Sequence, residues 1–134
     1  MLGSIEAHLQ SILEIVAESP IVRASNVVLD KRTLQLGLVR GDLYFSDGSR
    51  LHFRELIEVR TSPVRLMYSY HYQDEEEALV FRYDDTPHHA SLTGFPHHKH
   101  AGDEGNVIAA DPPDLQSVLQ EVQSIYPVDT TSNQ

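Results

Sequence analysis

Histidine is the residue type in this sequence best suited to chemistry, because its ring gains or loses a proton near neutral pH. The chain has eight histidines. Five of them lie close together in the second half, at His88, His89, His97, His98 and His100. Such a cluster suits general acid–base catalysis, which uses one neutral and one protonated ring, or the binding of a transition metal. The alternative is structural, with the rings only ordering a surface loop.

A guanidinium and a carboxylate precede this cluster. Side chains alternate between the two faces of a strand, so in Phe81-Arg82-Tyr83-Asp84 the pattern places Arg82 and Asp84 on one face. His71 alternates with two tyrosines on the preceding strand and joins that face if the hairpin register is right. Arg82 would then stabilise developing negative charge, and Asp84 would orient a histidine. The candidate catalytic residues are His71, Arg82, Asp84, His88, His97, His98 and His100.

The same residues also allow less specific interpretations. His98 and His100 form an H-x-H pair whose rings would face the same way in an extended segment, which suits zinc or another divalent transition metal. The acid–base hypothesis needs neither a metal nor any other cofactor. Arg82 and Asp84 could also form an ordinary surface ion pair of little energetic value. The basic stripe Arg50, His52 and Arg54 is interpreted as a solvated strand face, without a catalytic role.

Apolar spacing predicts the elements that must position these side chains. Helical periodicity marks both ends of the chain, with Ser4 as one N-cap and Asp111-Pro112 as the other helix start. Asp47-Gly48 indicates a hairpin turn between two of the strands. The expected elements are a helix over about 4–18, a sheet over about 21–84, a histidine-rich loop over about 85–107, a helix over about 112–126 and a flexible polar tail over 127–134.

These elements predict a single α+β domain. We expect a meandering antiparallel β-sheet of four to six strands, with the N-terminal and C-terminal helices packed on one face. The long segment without periodicity before the last helix is typical of a functional or disordered loop. An exposed edge strand would allow the sheet to pair with a second copy as a homodimer.

The charge balance limits the classes of function. The chain has 20 acidic and 10 basic residues, a formal charge of −10. This balance argues against non-specific binding to nucleic acid or anionic lipid, which depends on clustered Lys and Arg. The absence of cysteine fits a cytoplasmic protein, and the lack of a long apolar run argues against a membrane span.

Four segments in order resemble one family. They are Phe45-Ser46-Asp47-Gly48-Ser49-Arg50-Leu51-His52-Phe53-Arg54-Glu55, Tyr68-Ser69-Tyr70-His71-Tyr72-Gln73-Asp74, Phe81-Arg82-Tyr83-Asp84-Asp85-Thr86-Pro87-His88-His89 and Phe95-Pro96-His97-His98-Lys99-His100. In this order they resemble the TumE family, toxin components of prokaryotic toxin–antitoxin pairs. The resemblance implies an antitoxin partner, expected to be a small helix-turn-helix DNA-binding protein.

The usual activity of such small toxins is cleavage or modification of RNA, so the resemblance favours a metal-independent ribonuclease. Single-stranded RNA is the expected substrate, and Tyr68, Tyr70 and Tyr72 would stack on its bases. Two alternatives stay open at this point. One is a metal-binding histidine site, and the other is a non-enzymatic module that only binds an antitoxin.

Overall fold

The structure, a computed structural model, describes residues 4–86 and 96–125. The described chain consists of two helices at the ends of a run of strands. The elements are α1 (Ile5–Glu18), β1 (Val22–Lys31), β2 (Leu36–Phe45), β3 (Arg50–Val59), β4 (Pro63–Gln73), β5 (Leu79–Asp84), β6 (His98–Ala101), β7 (Val107–Ala109) and α2 (Leu115–Ile125). The predicted tail over 127–134 lies outside the described residues.

The strands form one antiparallel meander. Their spatial order, β1 to β7, is their order along the chain. This confirms the α+β class, with seven strands rather than four to six. β6 lies inside the segment predicted as a loop over about 85–107, and β7 begins at the last residue of that segment. β6 and β7 have only four and three residues, and β6 is mostly polar, so neither carries the apolar alternation that marks a strand in sequence. Pairing with β5 gives β6 its extended form.

The helices begin at side-chain caps. The Ser4 hydroxyl accepts a hydrogen bond from the backbone N–H of Ala7, as predicted for α1. The predicted start of α2 at Asp111-Pro112 is wrong by about one turn. Asp114 caps this helix, because its carboxylate accepts from the Ser117 N–H at 2.8 Å. Among the described residues, no helix has both the length and the apolar character needed to cross a membrane.

Both helices pack on one face of the sheet, as expected, and we call it the helix face. Its core joins apolar residues of α1 and α2 to strand side chains: Ile12, Val16, Leu115, Val118, Leu51, Phe53, Tyr70, Tyr72 and Phe81. Tyr68, Tyr70 and Tyr72 are at most 3% exposed there. The expectation that they stack on RNA bases is therefore wrong, because alternation along β4 turns all three into the core. We call the opposite face, which carries no described helix, the open face.

Close packing on the helix face predicts a strict need for glycine at position 41. A Cβ at Gly41 would lie 2.7 Å from the ring of Phe53, which is fully buried and has no room to move. We expect Gly41→Ala to lower the free energy of unfolding by about 1–3 kcal/mol in urea denaturation. Gly105→Ala is the control, because its Cβ would meet only one atom, at 3.5 Å. Equal stability of the two variants would contradict this packing.

Candidate active site

A row of polar side chains crosses five neighbouring strands on the open face. The register pairs Asp42 on β2 with His52 on β3, His52 with His71 on β4, His71 with Arg82 on β5, and Arg82 with His100 on β6. Directly opposed residues in an antiparallel sheet have Cβ atoms about 5 Å apart. We call these five residues the polar row. The predicted meeting of His71 and Arg82 on one face is confirmed.

Asp84 lies beside the polar row and is buried on the same face. Its Oδ2 atom accepts a hydrogen bond from Arg82 Nε at 3.0 Å, and its Oδ1 atom lies 2.8 Å from His98 Nε2. The backbone N–H of Thr86 also donates to Oδ1. One carboxylate therefore fixes a guanidinium from its own strand and an imidazole from the next strand.

Glu104 and His100 complete the hold on Arg82. Arg82 Nη1 donates to Glu104 Oε1 at 2.6 Å, and Arg82 Nη2 lies 3.1 Å from His100 Nε2. His100 Nδ1 lies 2.7 Å from the Glu104 backbone oxygen, which only accepts. These partners assign the proton to Nδ1 and the lone pair to Nε2, so His100 is a neutral acceptor for the guanidinium.

His98 is buried on the open face next to Asp84. Its Nδ1 lies 2.9 Å from the Pro96 backbone oxygen, and its Nε2 faces Asp84. Each ring nitrogen therefore faces an oxygen acceptor, and a ring with a hydrogen on both nitrogens would donate a hydrogen bond to each. Only 2% of His98 is exposed. It links β6 to Asp84, and a substrate on the surface would not reach it.

The histidine cluster of the sequence does not converge as a whole. His98 and His100 share the open face, as the H-x-H spacing predicts, but His97 turns to the helix face, because neighbouring residues of an extended segment alternate. Its ring stacks on Tyr68, and its Nδ1 lies 2.9 Å from the Tyr68 hydroxyl. Burial raises the pKa of Tyr68 to about 12, so that hydroxyl keeps its proton. His88 and His89 lie outside the described residues.

Two accessible imidazoles of the polar row stand side by side. His71 is partly buried, and within residues 4–86 and 96–125 its ring forms no hydrogen bond. Burial, followed by the positive charge of Arg82, lowers the pKa of His71 below its usual 6.5, which keeps the ring neutral at pH 7. His52 differs in that its Nδ1 lies 3.0 Å from Asp42 Oδ1. That carboxylate fixes the tautomer of His52.

His52 is the site residue that sequence reasoning missed. The signal was present, because the Asp47-Gly48 turn sets the register that puts Asp42 opposite His52. Following that register one strand further puts His52 opposite His71. The sequence of β3 alone predicts a solvated basic stripe, whereas the partners of His52 come from the neighbouring strands β2 and β4.

Among residues 4–86 and 96–125, Asp84, His98 and His100 are the group that could hold a metal ion. One ligand atom from each lies within 4.8 Å of the others. However, Arg82 already occupies Asp84 Oδ2 and His100 Nε2 with hydrogen bonds. A divalent cation would have to displace a guanidinium from these atoms, and the two positive charges would repel each other. The donor set therefore suits a cation poorly while Arg82 remains in place.

A second polar cluster lies on the helix face, away from the polar row. The buried Glu55 carboxylate accepts from the Tyr70 hydroxyl, and Arg65 Nη1 lies 4.0 Å from it. His8 Nε2 lies 3.5 Å from Glu55 Oε1. These contacts tie α1 to β3 and β4 through one buried charge. Glu55 therefore has a structural explanation in the helix packing.

The lowered pKa of His71 predicts a particular pH dependence. As pH falls below about 6.5, the unfolded state takes up the His71 proton before the folded state does, so the free energy of unfolding decreases. His71→Gln should make this decrease smaller between pH 7 and 5.5 in urea titrations. NMR should show a His71 titration midpoint below 6.5 in the folded protein. A midpoint at or above 6.5 would contradict the assigned environment.

Comparison with known proteins gives one match. The family described as toxin TumE matches residues 12–126, which include all the strands and α2. No curated protein matches the chain, and no solved structure matches it. The match covers most of the sequence and includes every residue of the polar row together with Asp84. The chain therefore belongs to the TumE toxin family.

Proposed function

We propose that this toxin is a metal-independent ribonuclease whose active site is the polar row. The observation that carries the proposal is the alignment of three groups on adjacent strands. His52 on β3 and Arg82 on β5 flank His71 on β4. They supply a proton donor, a proton acceptor and a fixed positive charge. Membership of a toxin family implies an antitoxin partner, and we expect a small helix-turn-helix protein in the cytoplasm.

His71 is the proposed general base. Its ring is neutral at pH 7 because its pKa is lowered, and it has no hydrogen bond within the described residues that would occupy the lone pair. It would take the proton from a ribose 2′-hydroxyl. The 2′-oxygen then attacks the adjacent phosphorus atom, and the bond from phosphorus to the 5′-oxygen breaks. The products are a 2′,3′-cyclic phosphate and a 5′-hydroxyl.

His52 is the proposed general acid. With Nδ1 bound to Asp42, the other nitrogen of its protonated ring would donate to the departing 5′-oxygen. Asp42 would stabilise the positive charge on the ring in that state. The same carboxylate lies 3.9 Å from Arg50 Nε, beyond hydrogen-bond distance.

Arg82 is the proposed anion stabiliser. Negative charge grows on the phosphoryl oxygens during the attack, and a guanidinium already fixed in place stabilises it without reorganisation. Asp84, Glu104 and His100 provide that fixation. In this proposal Asp84, His98 and His100 are positioning residues, and His97 has a structural role with Tyr68.

Variants of the polar row test the proposal directly. With single-stranded RNA and EDTA, His71→Gln and His52→Gln should each reduce cleavage by about 10²–10⁴-fold, the usual contribution of a general acid or base. His97→Gln is the matched control, because its ring lies on the helix face. It should cleave RNA at nearly the wild-type rate. The proposal would be contradicted if the wild-type protein left the RNA intact across pH 5–8, or if all three variants lost the same amount of cleavage activity.

The alternative is a zinc site at Asp84, His98 and His100, which the proximity of their ligand atoms favours. We expect calorimetric titration with zinc to show no stoichiometric binding to the wild-type protein, because Arg82 holds two of these ligands. Arg82→Gln removes the competing charge and should increase zinc affinity. Tight binding of one zinc ion per wild-type chain would favour the alternative.

A further inference from the structure

Two arginines on the open face lie next to the polar row, and no ion pair links either of them to another described residue. Arg40 on β2 and Arg54 on β3 are directly opposite each other in the register. Both side chains are exposed. Among residues 4–86 and 96–125, neither forms a hydrogen bond or an ion pair, whereas Arg82 on the same face has two acidic partners.

This arrangement is unfavourable for the isolated protein. Like charges directly opposite each other on neighbouring strands destabilise a sheet. The chain has twice as many acidic as basic residues, so carboxylates are plentiful. The next residue in the same cross-strand row is nevertheless Ser69, and Asp84 beyond it is already bound to Arg82 and His98. Within the described part of the chain, no carboxylate therefore pairs with Arg40 or Arg54.

The position of the pair connects it to the polar row. Arg54 follows His52 by two residues on β3, about 7 Å along the strand, and points to the same face. Arg40 lies one strand further, about 5 Å across the sheet. Four of the ten basic residues of the chain lie on this face, namely Arg40, Arg50, Arg54 and Arg82. Asp42 and Asp84 share this face, but they are held by His52, Arg82 and His98, so the exposed guanidinium groups beside His52 are those of Arg40 and Arg54.

We propose that Arg40 and Arg54 bind backbone phosphates of the RNA strand next to the bond that the polar row cleaves. This inference rests on the proposed function and identifies how an acidic chain holds a polyanion. Guanidinium groups that contact phosphates do not contact base edges. The pair would therefore contribute to RNA affinity and to the orientation of the strand on the sheet, and not to sequence preference.

Binding of an RNA that is not cleaved tests the pair separately from catalysis. The probe is a fluorescent single-stranded RNA with 2′-O-methyl groups, which removes the attacking hydroxyl. By fluorescence anisotropy, R40Q/R54Q should bind about 25-fold more weakly than wild type at 0.1 M salt. The slope of log K against log salt should become shallower by about 1.4, at about 0.7 for each lost phosphate contact. R40K/R54K should preserve most of the wild-type slope.

The control double variant makes the same change in charge elsewhere. Arg32 and Arg60 lie outside the polar row and pair with Asp30 and Glu58, and R32Q/R60Q should leave the slope nearly unchanged. Without RNA, R54Q should unfold at a higher urea concentration than wild type, because the repulsion is removed.

Three results would overturn the inference. The first is that the wild type does not bind the RNA at 50 mM salt. The second is that R40Q/R54Q and R32Q/R60Q lose the same amount of RNA affinity. The third is that a polyglutamate peptide binds as tightly as the RNA and also depends on Arg40 and Arg54. Cleavage by the wild type with an unchanged slope in R40Q/R54Q would reject the pair and leave the ribonuclease proposal intact. Pair-dependent binding without cleavage of unmodified RNA would reject the ribonuclease and leave phosphate binding by the pair intact.

Discussion

The buried carboxylate of Asp84 is the interaction on which the open-face site depends. It accepts from Arg82 on its own strand and faces His98 on β6, so it joins the last part of the meander to the middle of the sheet. Removing one partner of such a buried network leaves a charge uncompensated, which generally costs about 3–5 kcal/mol. Asp84, together with Glu104 and His100, therefore sets the direction in which the Arg82 guanidinium points.

The distribution of charge explains how an acidic protein can have a site for an anion. Most described acidic residues lie outside the strands, and the open-face carboxylates of Asp42 and Asp84 are already held by His52, Arg82 and His98. Arg40 and Arg54 on the same face have no such partner among the described residues. The net negative charge of the chain reduces non-specific association with nucleic acid, while exposed guanidinium groups would still attract a phosphate within about a Debye length. Binding would then depend on fit to this face rather than on charge alone.

Sequence reasoning predicted what alternation and periodicity determine. It placed Arg82, Asp84 and His71 on one face and paired His98 with His100, because side-chain direction in a strand has a period of two. The extents of α1 and of the hairpin around Asp47-Gly48 follow from equally local signals.

The remainder depends on contacts between strands that are distant in sequence. β6 is extended because it pairs with β5, although its own residues carry little β propensity. His97 belongs to the histidine cluster of the sequence because it is next to His98. Neighbouring residues of an extended segment point to opposite faces, so the two rings do not meet. His52 gains significance only when the registers on both sides are known, since its partners come from β2 and β4.

The end groups of cleaved RNA distinguish attack by the ribose 2′-oxygen from other routes of cleavage. Wild-type protein would be incubated with a defined single-stranded RNA in EDTA, and the fragments identified by mass spectrometry. If His71 accepts the proton of the 2′-hydroxyl and His52 donates a proton to the 5′-oxygen, the fragments will have 2′,3′-cyclic phosphate and 5′-hydroxyl ends. Intact RNA, or fragments ending in 3′-hydroxyl and 5′-phosphate, would contradict an active site formed by the polar row.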